Sequence, residues 1–230
     1  MKYIFTKEWY NEMQVSGSLV FPESKEDWEE QIAFYKSEGM DYEELAKTNL
    51  EYIKEDLLKF LPEKIHPYIH DETLKSQFPS PELRKMVEEW QSEYLERSRI
   101  KANEYRKYYE SITDILPKNA VLLMEEYLHD ANILSFDKPG NDQFVMILDR
   151  GYGDSGQIQL TFLGVKTLDL SEIEIGSSWI YSEIYAEDEG YELHVLFDSP
   201  LGEMTIRAAD VQIRELSTNE GDLLNEAYPF

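Results

Sequence analysis

Cysteine is absent from all 230 residues, which excludes disulfides, thiolate nucleophiles and thiolate metal sites and fits a reducing compartment. Nor does any apolar run reach the roughly 20 residues that a bilayer-spanning helix requires. The opening stretch places Lys2 ahead of no signal-peptide core, so a cytoplasmic protein away from membranes is expected. Positive charge is scarce as well: 22 Lys and Arg face 47 Asp and Glu, a formal charge of −25. The deficit is concentrated in residues 118–230, at −16, against −9 in residues 1–117. A field of that sign repels phosphate backbones and anionic lipid. Nucleic acid and membrane are therefore disfavoured as partners and a basic protein is favoured, although acidity also serves plain solubility. Internal repeats, low-complexity tracts, a nucleophile elbow, a Walker loop, an EF-hand and the kinase signatures are all missing. No cofactor and no catalytic residue is thus indicated.

Apolar residues, at 42%, and aromatics, at 13%, are too plentiful for a disordered acidic tail. The length suffices for one α+β domain or two smaller ones. The pattern divides the chain into a helical region, 1–117, and an acidic antiparallel β region, 118–230, which together could form one composite domain. Residues 1–5 could be a short strand, after which Thr6 can cap a first helix carrying Trp9, Tyr10 and Met13. Ser24, with Glu26 and Asp27 behind it, opens a second helix over Trp28, Ile32 and Tyr35 that stops at Gly39. Asp41 and Glu44 form a capping-box-like pair ahead of the stripe Tyr42, Leu45, Leu50, Ile53, Leu57 and Leu61. Three prolines between 62 and 80 predict an irregular connector. Ser80 before Pro81 then starts a helix of about 32 residues, roughly 48 Å long. Its polar stretch from Arg97 to Lys101 implies a kink or an exposed middle.

Beyond Pro117 a short helical turn over Ala120–Tyr127 gives way to extended segments. Turn chemistry separates strands over Phe144–Leu148, Ile158–Val165, Trp179–Tyr185, Tyr191–Phe197, Met204–Arg207 and Val211–Arg214, a mostly antiparallel meander. The fold class is therefore α+β, with several helices, one of them long, followed by a mostly antiparallel sheet.

Two motif-like coincidences carry little weight. Gly151, Gly153 and Gly156 spell the dinucleotide fingerprint, yet a β run follows where the pyrophosphate would need a helix N-terminus, and Asp154 adds negative charge. The pairs Glu63 with His66 and Glu126 with His129 have the Glu-x-x-His spacing of carboxylate-bridged metal sites. The first pair is flanked by Pro62 and Pro67 and the second runs into a strand. Surface histidines are the plainer explanation, and a metal-dependent enzyme using those four residues is the alternative to be weighed.

The hairpin after residue 178 carries more. If Glu187–Gly190 is its loop, Ala186 pairs with Tyr191, Ile184 with Leu193, Ser182 with Val195 and Ile180 with Phe197, and one face is apolar. Trp179, Tyr181, Glu183, Tyr185, Glu192 and His194 then share the other face. Closing the next hairpin at Ser199–Gly202 sets His194 against Arg207. This aromatic and acidic face either packs against the helical half, with hydroxyls and ion pairs satisfied at its edge, or stays open to dock a basic partner. The same two explanations hold for Tyr94, Tyr105, Tyr108 and Tyr109 of the long helix.

The opening MKYIFTKEWY, the step Leu128-His129-Asp130-Ala131 and the segment GYELHVLFDSPLGEMTIRAADVQI resemble a family of uncharacterised Gram-positive bacterial proteins that begin with a similar Met-Lys-Tyr-Phe-Thr-Lys-Glu-Trp-Tyr segment. The likeness is loose over residues 25–115, Ile4 is an insertion relative to that opening, and the family implies no activity. A non-enzymatic interaction protein, acting on a basic partner as acidic immunity proteins do, is the expectation that results.

Overall fold

The computed structural model describes residues 2–151 and 156–216. These form two compact units, one of residues 8–101 and one that joins residues 2–7 to the chain from Ala102 onward.

Helices α1 (Lys7–Ser18), α2 (Lys25–Ser37), α3 (Tyr42–Phe60), α4 (His66–His70), α5 (Pro81–Ile112) and α6 (Lys118–Glu125) begin where the local chemistry allows. Ser24 and Asp27 close a reciprocal capping box on α2, which satisfies two amide donors that the first turn leaves free. The Asp41 side chain accepts from the Glu43 and Glu44 amides at the start of α3. The Ser80 hydroxyl accepts from the Leu83 amide at 3.1 Å, and α5 then runs for 32 residues. In the connector read as irregular, α4 forms with Pro67 in its first turn, where the missing N–H costs nothing. Arg97, Arg99 and Lys101 are exposed on α5, and the division between the units falls just after them.

In the unit of residues 8–101, the α3 stripe contributes Leu50 and Leu57, α4 contributes Ile69, and α5 contributes Leu83, Val87 and Trp90 to one buried cluster with Val15 of α1. The spacing of those residues along α3 and α5 follows the 3.6-residue turn, so each helix buries a single stripe.

The other unit is an eight-stranded sheet of β1 (Ala131–Gly140), β2 (Gln143–Asp149), β3 (Gln157–Leu163), β4 (Thr167–Ser171), β5 (Ser178–Glu187), β6 (Gly190–Asp198), β7 (Gly202–Ala208) and β8 (Asp210–Leu216). Every pairing is antiparallel and the order is β4-β7-β6-β5-β1-β2-β3-β8. The sequence pattern identifies six of these strands. It passes over β4, which is five residues long, and β1, whose last residues Lys138-Pro139-Gly140 fall in the stretch Lys138–Asp142 that the sequence reads as a turn. The order also departs from a simple meander, because β4 joins β7 and β8 returns to β3. Alternate residues of the strands, among them Met146, Leu160, Ile184, Leu193, Val195 and Ile206, bury one face together with Ala120 and Leu123 of α6.

The β5–β6 register is the expected one from Ser182–Val195 to Ala186–Tyr191. Gly190 closes that hairpin at φ 110°, and a Cβ there would lie 2.1 Å from the Ala208 carbonyl oxygen, so glycine is required sterically as well as conformationally. Two details differ from expectation. A bulge between Trp179 and Tyr181 sets Trp179, not Ile180, opposite Phe197; the extra residue reverses the alternation and carries Trp179 from the acidic face into the core, with its ring 5.4 Å from Phe197. Phe197 also pairs with Gly202, so the β6–β7 register moves by two residues: His194 faces Thr205, and Arg207 faces Glu192. A shift of two preserves the face and changes only the neighbour.

Candidate functional site

Of the residues placed on the acidic face of β5, β6 and β7 by sequence, Glu183, Tyr185, Glu192, His194 and Arg207 come together, joined by Glu203 and Thr205. Glu183, Tyr185, Glu192 and His194 are buried, whereas Arg207 remains exposed. The cover is the chain's own residues 2–7, a stretch whose start the sequence reads as a possible strand over residues 1–5. The described residues 2–5 are not a strand; they bend at Ile4 and Phe5 and form a strap bound through its polar groups.

Glu183 holds the middle of this strap. Its carboxylate accepts from the Ile4 amide at 2.8 Å, the Phe5 amide at 2.9 Å and the Tyr185 hydroxyl at 2.6 Å. Among the described residues no Lys or Arg pairs with it, so its charge is balanced by oriented dipoles, two of them backbone N–H groups. Burial, followed by the hydrogen bond to Glu183, pushes the Tyr185 phenol well above its ordinary value and keeps it a donor. The same hydroxyl lies 2.9 Å from the Lys2 carbonyl.

Glu192 holds the start of the strap. It accepts from Lys2 Nζ at 2.5 Å, the Tyr3 hydroxyl at 2.6 Å and Arg207 Nε at 2.6 Å. Burial alone would raise its pKa, but the three hydrogen bonds and the Lys2 charge outweigh that and hold it down at about 2. Burial and the Glu192 acceptor push Tyr3 up to about 12. His194 completes the floor. Its Nε2 lies 3.1 Å from the Phe5 carbonyl oxygen, which only accepts, so Nε2 carries the proton and donates. Its Nδ1 lies 3.3 Å from the Thr205 hydroxyl, and its ring stacks on Tyr3 with centroids 4.1 Å apart and planes within 5°. Phe5 stacks against Tyr181 at 5.2 Å. The Lys7 amide donates to Glu203 at 2.8 Å, and its ammonium pairs with Glu172.

The tyrosines of α5 have a separate task. β1 pairs with β5 only at Ala131–Trp179 and Asn132–Ser178, which leaves further backbone donors of β5 without a strand partner. The Ile184 amide donates to the Tyr105 hydroxyl at 2.8 Å and the Ala186 amide to the Tyr108 hydroxyl at 3.1 Å. Two phenols thereby stand in for the missing ladder and blunt an edge that would otherwise invite pairing. Tyr94 belongs to the helical unit and stacks on Trp90 at 5.8 Å.

The buried carboxylates of Glu183 and Glu192 each accept from three donors. Three residues of the Glu-x-x-His pairs have other neighbours: His66 Nε2 lies 2.9 Å from the Leu61 carbonyl oxygen, Glu126 pairs with Arg150 at 3.3 Å, and His129 Nδ1 lies 3.1 Å from Asp130. Among the described residues no three His, Cys, Asp or Glu side chains are grouped as a metal site would need, and no helix is long and apolar enough to cross a membrane. Of the Gly151-x-Gly153-x-x-Gly156 pattern, Gly153 and Asp154 lie outside the described residues, and Gln157 begins β3.

The strap is what sequence reasoning missed. Its signal was present, since Lys2, Tyr3, Phe5 and Lys7 put two cations and two rings into six residues of a chain otherwise short of cations. Residues 4–208 match the family described as "Protein of unknown function (DUF4085)". That span takes in the strap from Ile4 and all of β5, β6 and β7. No curated protein matches the chain.

Proposed function

We propose, for a chain that belongs to the DUF4085 family of proteins of unknown function, a non-enzymatic role as an interaction module that neutralises a basic partner in the cytoplasm of a Gram-positive cell, as an immunity-like or inhibitor protein does. The β5–β6–β7 face would take a short segment of that partner bearing lysine and aromatic side chains, through Glu183, Glu192, His194, Tyr181, Tyr185 and Arg207. Trp179 would support the face from the core side.

One observation carries this reading: the face already holds such a segment in cis. Backbone recognition by Glu183 and His194 requires no particular side chain, while Glu192 selects a cation and a phenol. An extended peptide read through its main chain, with specificity added by a few side-chain contacts, is a recurring mode of protein recognition. The surrounding charge favours a basic partner kinetically and penalises an acidic one.

The strap competes with any partner at an effective concentration of about millimolar, typical of a short tether. Fluorescence anisotropy of a labelled Lys-Tyr-Ile-Phe-Thr-Lys peptide tests the reading. A Tyr3→Ala/Phe5→Ala chain, with its own strap loosened, is expected to bind the peptide at least about tenfold more tightly than the unaltered chain, and more weakly as salt is raised. Equal or absent binding in the two proteins, or binding indifferent to salt, would count against it.

A further inference from the structure

The helical unit has a cavity of its own, of about 250 Å³, bounded by α2, α3, the end of α1 and residues 74–75. Leu50, Leu57 and Leu74 give it apolar walls, and Tyr35 and Tyr42 add phenol rings. In a chain with more than twice as many acids as bases, no Asp or Glu lines this space, and Lys75 does.

The Lys75 ammonium donates to the Ser18 carbonyl at 2.7 Å. That bond uses one of its three protons, and among the described residues no carboxylate forms an ion pair with it. Burial lowers its pKa, with no acidic neighbour acting to restore it. A half-buried cation facing apolar walls without a counter-ion is costly, and a ligand anion would relieve that cost. Capping the last residue of α1 accounts for one proton of the ammonium. It does not account for an acid-free cavity beside it.

We infer that this cavity binds a small apolar carboxylate, its hydrocarbon against Leu50, Leu57 and Leu74 and its charge on Lys75. The volume falls just under the roughly 300 Å³ at which sites for drug-sized ligands begin, so a short alkyl or aryl acid fits better than a long lipid chain. The site is independent of the sheet face and stands whether or not that face binds a partner.

Isothermal titration of the full chain with octanoate, and with 1-octanol as its uncharged counterpart, tests the assignment. Octanoate is expected to bind at least about tenfold more tightly than the alcohol. Lys75→Gln, which keeps a donor for the Ser18 carbonyl but no charge, should bring the two ligands within about twofold of each other, and Lys75→Arg should keep the preference. A thermal melt of each variant checks that it folds. If Lys75→Gln does not fold, the wild-type comparison and Lys75→Arg decide. Octanoate no tighter than octanol on the wild type, a preference lost in Lys75→Arg, or one that survives in Lys75→Gln, would each overturn the inference.

Discussion

At Glu192 two opposing effects can be separated by pH. Burial opposes its charge, and the donors Lys2, Tyr3 and Arg207 favour it more strongly, so the folded-state pKa lies at about 2, below the ordinary 4.5. A depressed carboxyl stabilises the fold fully above its unfolded pKa and loses that contribution as pH falls through the folded one. Glu192→Gln should therefore be less stable than wild type at pH 7 in urea denaturation, with the gap narrowing steadily from about pH 5 to pH 2. A constant gap would place the effect in packing instead. The phenols that replace the β1 ladder allow a second substitution. Tyr105→Phe keeps the ring and removes the acceptor for the Ile184 amide, at an expected cost of about 1–3 kcal/mol. Tyr108→Phe, with the longer bond at 3.1 Å, should cost less, and both are measurable by thermal melting.

Among the elements, β5 and β6 show how far alternation can be read and where it stops. The turn Glu187–Gly190 set the register correctly for the nearest residues, because Gly190 admits a φ that other residues resist. Gly190→Ala should then lower stability by more than about 2 kcal/mol, since both its φ and the 2.1 Å approach to the Ala208 oxygen forbid a methyl group. A near-neutral melt would show that the hairpin can reopen around it. Trp179 could not be placed from sequence, because a bulge is one unpaired residue and leaves the composition of a strand unchanged. The Arg207 neighbour was missed for a related reason. A four-residue loop can begin at Asp198 or at Ser199 without altering which face any residue occupies, so alternation cannot choose between them. The caps at Ser24, Asp41 and Ser80 were legible because capping is local chemistry. The strap was not, because Lys2 and Glu192 are 190 residues apart and no local rule connects them.

Across the whole molecule, the α+β class, the long α5 and the antiparallel sheet were readable from periodicity, while the strand order was not, since β4 and β8 join partners far from their sequence neighbours. The formal charge of −25 makes any association with a basic partner sensitive to ionic strength. Glu183 and Glu192 form a cradle that the basic strap of residues 2–7 fills in cis. Hydrogen exchange at the Ile4 and Phe5 amides measures this directly, because both donate to Glu183. Both amides should be protected in the free chain and lose protection as saturating Lys-Tyr-Ile-Phe-Thr-Lys peptide takes their place. Peptide that binds while those two amides stay protected, or amides that exchange freely from the outset, would contradict the claim.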